Sequence, residues 1–166
     1  DMLVLANIYG GGMSSRLFQK VREEKGLCYS IFSFAQMMSD TGVFGVYAGT
    51  SEEKANEMLQ VCAAELTDCL FNIQADELLR SKQQLKASVL MRLDSVSATM
   101  DSLGRRVALF GKAQNKDQLI RSIEAVSIDR LHKLTAQIIA GRPAMAAVGP
   151  VRAVMEVTDL SDLFVS

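Results

Sequence analysis

Gly10-Gly11-Gly12-Met13-Ser14-Ser15-Arg16-Leu17-Phe18-Gln19-Lys20-Val21-Arg22-Glu23-Glu24-Lys25-Gly26-Leu27-Cys28-Tyr29 is the segment from which the rest of this 166-residue chain can be read. Three successive residues without a Cβ permit turns and positive φ, and they interrupt any helix that leads into them. Ser14 or Ser15 then offers an N-cap, and Leu17, Phe18 and Val21 mark an apolar helix face. Lys25 followed by Gly26 supplies a basic last turn and a left-handed stop, so residues 15–25 are predicted to be helical. A phosphate loop is excluded by spacing. A Walker loop needs a Gly, four residues and then Gly-Lys, and a dinucleotide loop needs a third glycine where Ser15 stands.

Downstream, Tyr29, Ile31 and Ser33 alternate with Cys28, Ser30, Phe32 and Phe34, the pattern of a half-buried strand. Ser39-Asp40-Thr41-Gly42 turns the chain into Val43-Phe44-Gly45-Val46-Tyr47-Ala48, completing a hairpin. The period then becomes helical, with Leu59, Cys62, Leu66 and Cys69 or Leu70 on one stripe ending near Phe71. Leu78, Leu85, Val89, Leu93, Val96, Met100, Leu103 and Val107 predict a long helix over about 75–110, with a possible bend at Ser95 to Thr99. Two amphipathic stretches follow at 117–125 and 128–140, the second closed by Gly141 and Pro143. Ala144 to Val148, a short apolar run before Gly149-Pro150, reads as a buried return strand. Together these predict a single α+β domain over 1–166, a two-layer sandwich of a mostly antiparallel sheet against several helices.

Composition removes several functions. Eighteen Lys+Arg against 19 Asp+Glu gives a net charge of -1, with no case for binding nucleic acid or an anionic membrane surface. No apolar run reaches the ~18–20 residues of a membrane-spanning helix. Cys28, Cys62 and Cys69 form neither an even disulfide framework nor a C-x-x-C pair, and Cys62 and Cys69 fall on a helix stripe as small core residues. A lone histidine, His132, cannot build a multi-histidine metal site, and its polar flank predicts a solvated surface position. The chain opens at Asp1 with an apolar segment and is read as a piece of a longer protein.

The motif Gly10-Gly11-Gly12, Ser15-Arg16-Leu17-Phe18, Arg22-Glu23 and Gly26-Leu27-Cys28-Tyr29 resembles the second half of the pitrilysin/insulinase-type zinc metallopeptidases, in particular the bacterial relatives of the mitochondrial processing peptidase. The order of hairpin, helices and Ala146-Ala147-Val148-Gly149-Pro150 extends the resemblance over most of the chain, with the family's first strands expected before Asp1. The resemblance implies one half of a two-domain clamshell whose other, upstream half carries zinc on an inverted H-x-x-E-H motif. No such motif occurs here, since His132 is followed by Lys133-Leu134-Thr135-Ala136. The chain is therefore expected to hold no metal or cofactor of its own and to be inactive alone, with zinc in the complete endopeptidase.

The resemblance also implies that an arginine and a tyrosine seven positions apart reach the peptide substrate near the scissile bond, and they match Arg22 and Tyr29. Gly10, Gly11 and Gly12 serve either as a tight turn between helices or as a mobile lip touching substrate. Without the resemblance, Arg22 and Tyr29 read as a surface charge and a half-buried aromatic. The expected partners are the upstream half and a peptide, with self-association through an unpaired sheet edge as a further expectation. The alternative function is a non-catalytic scaffold of the same fold, such as the core proteins of respiratory complexes. The expected location is the bacterial cytoplasm, with the mitochondrial matrix and the periplasm as alternatives.

Overall fold

The structure, a computed structural model, describes residues 1–38, 40–111 and 116–164, leaving aside the side chains of Leu93 and Phe110. Its centre is α1 (Met2–Gly10), an apolar helix in which Val4, Leu5, Ala6, Ile8 and Tyr9 are all buried. Apart from Asn7 and the exposed Leu3, the helix is apolar and mostly buried, so it has little face to give to water and sits inside. It packs on a hairpin on one side and on helices on the other.

The hairpin is the predicted one, β1 (Ser30–Met37) antiparallel to β2 (Gly42–Gly49), with Phe32 opposite Tyr47 and Phe34 opposite Gly45. Of its turn, Ser39 lies outside the described residues, and the Met38 amide donates to the Thr41 carbonyl at 2.9 Å. Ile31 and Ser33 are buried against α1, and the Ser33 hydroxyl donates to the Ala6 carbonyl at 2.5 Å. The period of two thus sorts the strand as expected, with Ser30, Phe32 and Phe34 turned outward.

After a 3₁₀ turn at Glu52–Lys54, α2 (Ala55–Asp68) buries Met58, Cys62, Ala63 and Leu66, and Cys69 follows fully buried. Tyr9 ties α1 to it, its hydroxyl donating to the Cys62 carbonyl at 2.6 Å. The helix predicted over 75–110 is two helices, α3 (Ala75–Leu93) and α4 (Val96–Phe110). Ser95 makes the break: it takes an extended conformation, and its hydroxyl accepts the Ala98 amide at 3.2 Å, capping α4 in place of continuing α3. Of the apolar stripe read across both helices, the Leu93 side chain lies outside the described residues. Gly111, at φ 69°, closes α4 with a left-handed residue.

The two shorter helices are found as α5 (Lys116–Glu124) and α6 (Ile128–Ile139), the latter capped by Ser127. Leu131 and Thr135 of α6 are completely buried. The return strand expected at Ala144 to Val148 does not form: this segment has no ladder, Val148 is fully exposed, and the sheet of the described residues is β1 with β2 alone. Apolar composition marks a potential strand, but a strand exists only with a neighbour to take its hydrogen bonds. The chain instead returns to α2 through Asn56, whose amide donates to the Ala153 carbonyl (2.7 Å) and accepts the Met155 amide (2.8 Å), before a short α7 (Val157–Asp162).

Candidate functional site

The segment from Gly10 to Tyr29 forms a connected structure in which buried residues hold two exposed side chains. Gly10 lies against β1 so closely that a Cβ there would come 2.5 Å from the Ser33 amide nitrogen. A Cβ on Gly11 would meet the Asn7 Cα at 2.5 Å, whereas Gly12 faces open space. None of the three uses the positive φ that glycine permits; among the described residues that conformation falls to Gly26, Gly111 and Gly149. Gly10 and Gly11 thus allow α1 to turn against its neighbours, while Gly12, Met13 and Ser14 form an exposed lip.

The predicted helix 15–25 is found from Arg16 to Glu24, and from Phe18 to Glu24 it is wound as a π-helix. Leu17 and Val21 are completely buried beneath it. It ends as predicted at Gly26: with φ at 59°, the Leu27 amide donates to the Val21 carbonyl (2.8 Å) and the Gly26 amide to the Arg22 carbonyl (3.1 Å). Each bond spans one residue more than the corresponding bond of a Schellman stop, in keeping with the π-winding of the preceding turn, and Leu27 and Val21 both lie in the core. The Lys54 ammonium donates to the Gly26 carbonyl (2.9 Å), and the Thr50 hydroxyl to the Leu27 carbonyl (2.5 Å), fixing the turn from outside.

Arg22 and Tyr29 flank this stop. Arg22 is exposed, with its guanidinium carbon 4.6 Å from the Phe18 ring centroid one turn earlier and its Nε 4.0 Å from Glu23. Tyr29 immediately precedes β1; its amide donates to the Gly49 carbonyl at 2.8 Å, and its side chain is 82% exposed. Burial pushes the Cys28 thiol up, and the positive charge of Arg22 opposes that shift, so the guanidinium acts on the residue next to Tyr29. The stop thus supplies a fork of cationic donors and a phenolic hydroxyl at one end of the sheet, both open to solvent and both suited to carbonyl oxygens. The half-buried aromatic of the residue-only reading is not what Tyr29 is.

One residue of the motif has a role that sequence reasoning did not assign. Arg16 extends from the same helix, its side chain only 10% exposed, and donates to Glu77 at 2.8 and 2.9 Å, to Asp68 at 2.6 Å and to the Asn72 carbonyl at 2.6 Å. It joins the motif helix to the end of α2 and the start of α3. A local pattern holds no sign of this, because its partners lie 52 to 61 residues away.

A zinc site does not fit the described residues. Among the described residues no group of three or more His, Cys, Asp and Glu could hold a metal ion. The one histidine departs from its predicted solvated state: His132 Nε2 is buried with no hydrogen-bond partner among the described residues. Cys62 and Cys69 are buried core thiols pushed up by desolvation to about 12, the reverse of what thiolate ligation requires. No helix among the described residues is long and apolar enough to cross a membrane.

The fold is an α+β domain in which helices pack against an antiparallel hairpin. Residues 1–85 match the peptidase M16 inactive domain, and the chain belongs to that family. It is 34% identical over 152 residues to an uncharacterized zinc protease of Streptomyces coelicolor, covering 91% of this chain and 33% of that protein. It is 35% identical over 151 residues to another from Bacillus subtilis, covering 90% and 37%. The chain thus spans about a third of the length of these relatives. Among solved structures, a chain of complex III2 from Candida albicans superposes with a TM-score of 0.89 at 19% identity over 98% of this chain and 42% of that one. A protease from Helicobacter pylori gives 0.73 at 22% identity over 82% and 33%. These two likenesses are of fold.

Proposed function

We propose that this chain is the substrate-holding half of a zinc-dependent endopeptidase, closing a chamber against an upstream half that carries the metal. The observation that carries this reading is the pair Arg22 and Tyr29, two polar side chains open to solvent on either side of the stop at Gly26, which is anchored by buried Val21 and Leu27. Zinc-protease relatives at 34 and 35% identity support a peptidase over a scaffold of the same fold.

In this reading the Arg22 guanidinium and the Tyr29 hydroxyl donate to backbone carbonyls of an extended peptide and fix its position. Their hydrogen bonds shorten and strengthen as the attacked carbonyl gains negative charge, which places their effect on the transition state. The stop at Gly26 matters because a donor held in place loses no energy to reorganisation as the charge develops.

The test joins this chain to the zinc-bearing half of a family member. Arg22→Ala is expected to lower kcat/KM about ten- to a hundred-fold and Tyr29→Phe about three- to thirty-fold, with zinc content and melting unchanged. Wild-type activity in both variants would return Arg22 and Tyr29 to ordinary surface residues.

A further inference from the structure

The other cations on and beside the motif helix are bound by oxygen atoms. Arg16 is held by Glu77 and Asp68, Lys20 by Glu24 at 2.9 Å, Lys25 by Glu57 at 3.3 Å and Lys54 by the Gly26 carbonyl at 2.9 Å. Arg22 differs. Its guanidinium makes no hydrogen bond among the described residues, and Glu23 lies at the 4.0 Å limit of an ion pair; the guanidinium carbon sits over the Phe18 ring, 4.6 Å from its centroid. Phe18 is half-buried, yet it stands outside the core cluster that takes in Leu17, Val21 and Leu27. Its ring does not fill the interior; what it supports is Arg22. Both residues belong to the π-wound stretch Phe18–Glu24, a rare winding found frequently at functional sites.

We infer that Phe18 is a positioning residue for Arg22: its ring holds the guanidinium in place and leaves the N–H donors free for a peptide carbonyl. The inference rests on the reading of Arg22 as a peptide-holding residue. A carboxylate would also orient an arginine, but it would neutralise the charge and occupy the fork of donors. A ring attracts the cation through its quadrupole and offers no acceptor oxygen to compete with a carbonyl. Arginine is rich in rotamers, whereas a half-buried phenylalanine has few to lose, so the ring is the fixed partner and the guanidinium the restrained one. Held there, the charge of Arg22 is felt at Cys28, the residue before Tyr29, which puts it on the Tyr29 side of the stop. Without the ring, Glu23 is the acceptor within reach.

Nuclear magnetic resonance of the isotope-labelled chain reads the contact directly, because protons held over a ring face are shifted upfield. The Arg22 side-chain protons are expected upfield in the wild type and in Phe18→Tyr. They should return to ordinary positions in Phe18→Leu and Phe18→Met, which remove the ring and keep an apolar side chain. In the joined enzyme, Phe18→Leu should lower kcat/KM about three- to ten-fold, less than Arg22→Ala does, and through whichever of kcat and KM Arg22→Ala moves. Phe18→Tyr, which keeps the ring, should stay within about two-fold of wild type. On an Arg22→Ala background, Phe18→Leu should cost less than about two-fold further, a coupling that a merely structural role would not give. Ordinary Arg22 resonances in the wild-type chain overturn the inference. So does an equal loss from Phe18→Leu with and without Arg22. If Phe18→Leu melts lower than wild type, Phe18→Met makes the same comparison, and the wild-type resonances decide the contact by themselves. Full activity of Arg22→Ala refutes the underlying reading, whereas a loss in Arg22→Ala with full activity in Phe18→Leu and Phe18→Met refutes the role of Phe18 alone.

Discussion

Replacing Arg16 and Arg22, six positions apart on one helix, should have opposite consequences. Arg16→Ala removes a nearly buried guanidinium from two carboxylates and a carbonyl. Glu77, its side chain 15% exposed, loses its partner and stays largely desolvated, while Asp68, 43% exposed, is rescued by water and by Asn72. Removing one member of a buried pair costs about 3–5 kcal/mol, and the exposed Asp68 arm adds little, so we expect about 3 kcal/mol. For a chain of this size that lowers Tm by about 6–12 °C. Arg22→Ala removes a partly exposed contact with the Phe18 ring and should cost less than about 1 kcal/mol. Urea unfolding followed by circular dichroism measures both, and Glu77→Gln alone and combined with Arg16→Ala gives their coupling. A loss below about 1 kcal/mol for Arg16→Ala, or a loss at Arg22 as large as at Arg16, would refute this division of the motif into a structural and a solvent-facing arginine.

Three further outcomes can be checked. Gly10→Ala should destabilise by about 1–3 kcal/mol because its Cβ would press on the β1 backbone, while Gly12→Ala should stay within about 0.5 kcal/mol; thermal melts separate them. Under native conditions a thiol reagent should modify Cys28 first, with Cys62 and Cys69 reacting only on unfolding, as mass spectrometry of the labelled chain would show. Burial raises the Glu65 carboxyl above its ordinary value, so its contribution is fully present below the unfolded value near 4.5 and is lost as pH rises through the folded value. Glu65→Gln should therefore stabilise the chain at neutral pH, with the gain vanishing below about pH 4, measured as Tm against pH.

What the sequence disclosed depends on how far each feature's cause lies along the chain. The stop at Gly26 was legible because its determinants lie within five residues: Val21 and Leu27 supply the apolar contact, and Gly26 the left-handed conformation. The hairpin was legible for the same reason, since its alternation and turn are local. The break at Ser95 was half legible: a capping residue stood in a helical period, and only the observed bond to Ala98 decides that capping prevails. The strand at Ala144 to Val148 was misread because strand formation is a property of pairs of segments. Residues 151–164, including α7, gave no signal because Asn56, which holds that segment, is almost a hundred residues away.

The candidate site divides along the same line. Local patterning placed Arg22 at the margin of an apolar helix face and Tyr29 at the head of a strand, yet it could not choose between a half-buried and an exposed tyrosine. Exposure depends on what packs nearby, and α1 covers Ile31 and Ser33 but leaves Tyr29 open. Arg16 shows the converse. Read locally, it is one more cation in a motif, but Glu77 and Asp68 come to it from α3 and α2 and make it a structural residue. The motif therefore combines two requirements in one short segment. Arg16, Leu17, Val21 and Gly26 fix the helix and its stop, and that fixed frame is what allows Arg22 and Tyr29 to be presented to solvent without contributing appreciably to stability themselves.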